Sequence, residues 1–165
     1  MKARILLLAS LIGTLIPGPE YAYAAEPHSA TNDLRLSPDL LTLLRVEMRE
    51  VAGGVQGIAL SIAEADWKSI QETTAKLRSS YIMEKQLTPA NAAELDTALP
   101  HEFKGLDADF HERAEKLGAA AAAHDAELVV FHYSRLLEGC VACHSQFATS
   151  RFPAFSSAIA PAQHH

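Results

Sequence analysis

Apolar residues recur at alternating intervals of three and four along most of the chain. After Ser37-Pro38-Asp39 they fall at Leu41, Leu44, Met48, Val51, Val55, Ile58 and Ile62. These spacings place all seven on one side of an α-helix of about 27 residues. Ser37 reads as its N-cap, Pro38 as its first helical residue and Asp39 as a first-turn acid. A second stripe runs Trp67, Ile70, Thr74, Leu77 and Tyr81, and a third Phe103, Leu106, Phe110, Ala114, Leu117 and Ala121. A fourth runs Ala126, Val129, Tyr133, Leu136, Cys140 and Cys143. No strand-like alternation competes with them. Four amphipathic helices on short links bury their apolar sides most simply as an all-α, antiparallel up-down four-helix bundle.

The links carry their own signals. Ala63 to Asp66 joins the first two helices, with Asp66 as the next N-cap. The longest link is 83–100, where Thr88-Pro89 opens a short extra helix to Leu99 and Pro100 ends it. Five alanines follow Gly118, so the third helix is expected to run through them, and Asp125 to cap the fourth. Residues 25–36 and 153–165 lack periodicity and read as loose ends. The globular domain is therefore expected over 37–152.

The opening residues have a different character. Lys2 and Arg4 precede an apolar run from Ile5 to Ile16, and Pro17-Gly18-Pro19 stops any helix. Ala22-Tyr23-Ala24 presents small residues at the two positions a signal peptidase reads, so residues 1–24 read as a signal peptide cut before Ala25. The run of about 12 residues is short of the roughly 20 that a membrane span needs, the alternative being an uncleaved anchor. Cleavage removes Lys2, Arg4 and Glu20 and takes the net charge from −6 to −7. The exported chain is then expected to be periplasmic, without a membrane span. An acidic chain lacks the concentrated basic face of a nucleic-acid binder.

Chemistry concentrates in Cys140-Val141-Ala142-Cys143-His144. This C-x-x-C-H string is the attachment signature of a c-type haem. Two thiols three positions apart on a helical turn can form thioethers to the two vinyl groups of one porphyrin, and the adjoining imidazole can bind iron. Both cysteines of the chain are used in the string, and a secretion signal precedes it. The bland alternatives are a disulfide, a zinc site, which lacks a second cysteine pair, and two coincidental core cysteines.

With the signal segment and four helical stripes, the late C-x-x-C-H resembles the class II cytochromes c, the cytochrome c-prime family, from about Leu36 to Phe147. That resemblance implies one covalent haem c on Cys140 and Cys143, and His144 as the proximal iron ligand. It also implies that the first helix faces the opposite side of the iron, with an apolar residue in high-spin members and Met in low-spin ones.

Met48 lies in the first stripe and is expected to face the core as the sixth ligand. At 1.5 Å per residue it sits about 16 Å along the first helix, and an antiparallel fourth helix brings His144 to about 12 Å on the same scale. Two family features are missing. The position four after the haem histidine is Ala148, and the position four before Met48 is Leu44, with Arg45 and Arg49 on other faces. Both losses favour the low-spin, Met-ligated subgroup.

The expected function is therefore an electron carrier with His144 and Met48 on iron, serving redox partner proteins in the periplasm. The alternative is a five-coordinate protein binding nitric oxide or carbon monoxide, with Leu44 or Val51 lining the open side. An enzyme is not expected, because the first stripe offers no polar distal group and no serine triad, paired-carboxylate site or phosphate loop is present. Arg45, Arg49 and Arg135 are candidate haem propionate partners. His101, His111, His124 and His132 read as exposed or capping residues. Gly53, Gly54 and Gly57 read as close packing, and the resemblance implies a homodimer through the first two helices.

Overall fold

Helix starts and stops follow the local chemistry of the chain. The computed structural model describes residues 34–157. The signal peptide and the ends at 25–33 and 158–165 lie outside that range. The described residues form seven helices and no strand: α1 (Pro38–Glu64), α2 (Trp67–Ser79), α3 (Met83–Gln86), α4 (Pro89–Ala98), α5 (His101–Ala122), α6 (Ala126–Phe147) and α7 (Ala154–Ser157). None is long and apolar enough to cross a membrane.

Three expected caps form. The Asp66 carboxylate accepts from Ser69 N–H at 3.0 Å, the Thr88 hydroxyl from Asn91 N–H at 3.2 Å, and the Asp125 carboxylate from Leu128 N–H at 3.0 Å. Ser37 differs from expectation. It occupies the N-cap position of α1, but its side chain makes no cap bond, and its N–H donates instead to Glu94 of α4 at 2.6 Å. Ala65 ends α1 in the left-handed region with φ 54°, and its N–H and the next satisfy the last carbonyls. α3 and α7, of four residues each, were not anticipated, and α7 falls in the stretch 153–165 that lacks periodicity.

The long helices alternate in direction. His111 of α5 bonds the carbonyl of Leu77, while Gly118 lies against Thr74, so α2 and α5 run antiparallel. Phe103 meets Phe147 and Phe110 meets Gly139, so α5 and α6 do too. At Gly118 a Cβ would lie 2.7 Å from the Thr74 hydroxyl, so a larger residue would have to displace Thr74 at this crossing of α2 and α5. α1 packs along α2 but touches α6 over a much shorter length.

The apolar core draws on these four helices: Val55 and Ile58, Ile70 and Leu77, Ala114 to Ala121, and Val129 and Leu136. Each large side chain buried there stabilises the fold by about 1.5–3 kcal/mol. The described residues are all-helical and bundle-like.

Candidate functional site

Cys140, Cys143 and His144 occupy the last turns of α6. Residues three apart on a helix differ by about 60° in direction, and residues four apart by about 40°. The two thiols and the imidazole therefore share one side of α6. Both thiols are free and half-buried, and the Cys140 S–H points to the Leu136 carbonyl at 3.7 Å. Burial raises the pKa of both, and pushes the Cys143 thiol up to about 11, with Asp107 and Cys140 adding to the effect. Thiols held neutral are poor nucleophiles, unlike the depressed thiols of dithiol oxidoreductases.

His144 is shifted the other way. Its burial disfavours the cation and lowers its pKa, leaving a neutral imidazole with a lone pair to offer. Its ring stacks on Phe152, with centroids 4.6 Å apart and planes 24° apart. Phe152 in turn meets Phe155 of α7 edge-on. The segment after α6 therefore folds back onto the imidazole, which the unpatterned tail gave no reason to expect.

α1 meets α6 at Tyr133 and Val55. The Tyr133 hydroxyl donates to the Val55 carbonyl at 3.2 Å, which fixes the register of α1 against α6. Counting outward from that contact along both antiparallel helices, seven residues bring Met48 level with Cys140. Eleven bring Leu44 level with His144, each to within about one turn. Leu44 is half-buried.

Met48 departs from expectation, because it is not buried but 40% exposed. It lies seven residues before buried Val55 and so on nearly the same side of α1, but α1 meets α6 over too short a length to cover it. Its neighbour Glu47 turns inward, buried to 4% exposure, and accepts N–H bonds from Tyr81, Ile82 and Met83. Met48 lies about 100° further round the helix. Leu137 and Val141 on α6 are likewise 40% and 52% exposed.

Other sequence candidates distribute less tightly. Arg45 and Arg49 are exposed, and Arg135 pairs with Glu138 at 2.5 Å while its carbonyl accepts from Arg113. His101 and His124 are exposed, and His124 stacks on Trp67 at the far end. His132 is half-buried. His111 is also half-buried rather than exposed. Its Nδ1 lies 2.8 Å from the Leu77 carbonyl, and its Nε2 lies 3.6 Å from the Asp107 carboxylate. Desolvation raises the Asp107 pKa, with His111 opposing and Glu47 adding to it, but 57% of the Asp107 side chain meets water, which damps these interactions. Among the three glycines of α1, only Gly54 has a close neighbour, the ring of Tyr81.

Among the described residues, no three His, Cys, Asp or Glu converge as a metal cage. No family model matches the chain, and no curated protein or solved structure does either.

Proposed function

We propose that the chain is an exported monohaem c-type cytochrome that carries electrons, with its four long helices forming an up-down-up-down bundle around the haem. The observation that carries this reading is the C-x-x-C-H string on the last turns of α6, with two free, half-buried thiols and a neutral imidazole on one side of the helix. The surroundings fit a flat apolar group. α1 and α6 touch only briefly, and Met48 and Leu137 each stand 40% exposed on these helices, within about a turn of the level of Cys140. Burying such apolar surface against a ligand is favourable.

Cys140 and Cys143 would hold the porphyrin by thioethers, so that it is not lost outside the cell. His144 would bind iron on one side, its ring oriented by the Phe152 stack. Met48 would bind on the other. Bound there, the haem supplies a one-electron iron couple, and a thioether ligand favours the ferrous state and raises its potential. The periplasmic address rests on the positive start, apolar run and Ala-x-Ala of residues 1–24.

One observation favours a second reading. Leu44, half-buried and level with His144 to within about one turn, would give a five-coordinate iron an apolar cap under which small gases bind. Spectra of the reduced protein separate the two. Electron transfer predicts a low-spin spectrum that carbon monoxide leaves unchanged, whereas gas binding predicts a high-spin spectrum that carbon monoxide shifts. Met48→Ala should convert the first spectrum into the second. If it stays low-spin, Met48 is not the ligand.

A further inference from the structure

Glu47 is the one buried charged residue among those described, and the site as read so far makes no use of it. A buried carboxylate is costly unless fully hydrogen-bonded. Here one oxygen accepts from Tyr81 N–H at 2.7 Å, and the other from Ile82 N–H at 2.7 Å and Met83 N–H at 3.1 Å. These donors lie at the entry to α3, where a helix start leaves N–H groups without partners.

The turn that presents them is itself unusual. Ser80 takes a positive φ of 61°, which a residue with a side chain adopts only when its surroundings hold it there. The same turn grips α1 a second time. The Tyr81 ring lies so close to Gly54 that a Cβ there would collide with the Tyr81 hydroxyl. Glu47 and Gly54 are seven residues apart, so two turns of one side of α1 are held by a single segment.

We infer that Glu47 is a positioning residue, which fixes the rotation of α1 about its own axis and thereby holds Met48 toward the iron site beside α6. This inference rests on the reading in which Met48 is the sixth ligand. Met48 is the next residue along and lies about 100° further round. The carboxylate grips the α2–α3 turn on one flank, and Met48 lies on the flank left for α6. Releasing the grip lets α1 turn, and a thioether bond to iron does not survive a displacement of an ångström or so.

The test uses the haem-loaded protein matured in a host with a working c-type haem pathway. Wild type should show the far-red thioether-to-iron band of the oxidised form and no response of the reduced form to carbon monoxide, and Met48→Ala should reverse both. With those controls met, Glu47→Ala should lose most of the band and become responsive to carbon monoxide while its helical circular dichroism is kept. Glu47→Gln, which retains an acceptor oxygen, should retain more of the band than Glu47→Ala.

Should Glu47→Ala fail to fold, Gly54→Ala tests the same grip by displacing Tyr81, and should weaken the band. Amide exchange at Tyr81, Ile82 and Met83 should accelerate in each variant. Folded Glu47 and Gly54 variants with a wild-type band and no carbon monoxide response would overturn the inference alone. A wild type without haem, or a Met48→Ala that keeps the band, would overturn the reading beneath it.

Discussion

The two ends of the molecule use the same helical repeat differently. Toward the α1–α2 and α5–α6 turns, stripe positions are closed: Val55, Ile58, Ile70, Leu117, Ala121 and Val129 are buried. Toward the other end the stripes continue unbroken, but Leu41, Leu44, Phe103, Leu106, Phe110, Cys140 and Cys143 are only half-buried, and Met48 is exposed. Leu40 and Phe147 are buried at that end too, and the half-buried apolar residues around them are where the proposed haem would sit. The single buried carboxylate, Glu47, sits at that same end.

The largest effects should come from the closed end. Leu117→Ala leaves a cavity where nothing can collapse and should cost about 2–5 kcal/mol, read by denaturant unfolding. Leu44→Ala in haem-free protein should cost less than half as much. If both cost the same, the contrast between the ends is lost. Next comes Asp125→Ala, which removes the cap of α6 at the closed end and should cost about 1 kcal/mol by the same measurement.

Phe152→Ala should cost about 0.5–1.5 kcal/mol through the lost stack on His144. It should also broaden the orientation of that ring, visible as line broadening of the His144 ring protons in haem-free protein. Sharp, unmoved resonances would show that the stack does not hold the imidazole.

The last effect is confined to alkaline pH. In haem-free protein the folded state keeps the Cys143 thiol protonated to about 11, against an ordinary value of 9.0. The folded state therefore binds the extra proton, and its stability is full below pH 9 and falls as pH rises towards 11. Cys143→Ala should flatten that part of the stability profile. An unchanged slope would mean that the thiol is freely solvated.

The sequence reveals most of what depends on period and local chemistry. The four stripes became α1, α2, α5 and α6, and Asp66, Thr88 and Asp125 cap as their neighbours suggest. The Cys140–His144 cluster was legible because its spacing is itself the geometry. What escaped depends on distant partners. An acid beside a stripe reads as solvated, and nothing local reveals that Glu47 meets three N–H groups 34–36 residues away. Its position between Leu40 and Ile58, in their helical register, was the available signal. Met48 reads as buried because the stripe runs through it, and the short meeting of α1 with α6 that leaves it exposed is again a tertiary matter. The short α3 and α7 hold only by tertiary contacts, which a four-residue pattern cannot announce.

The central claim is that Cys140 and Cys143 bind haem covalently beside His144. Intact mass of the protein exported by a host with a c-type haem maturation pathway tests it most directly. The account predicts one haem added per chain, lost when both cysteines are replaced by serine, and a coloured protein. A colourless protein with the mass of the bare polypeptide would contradict it.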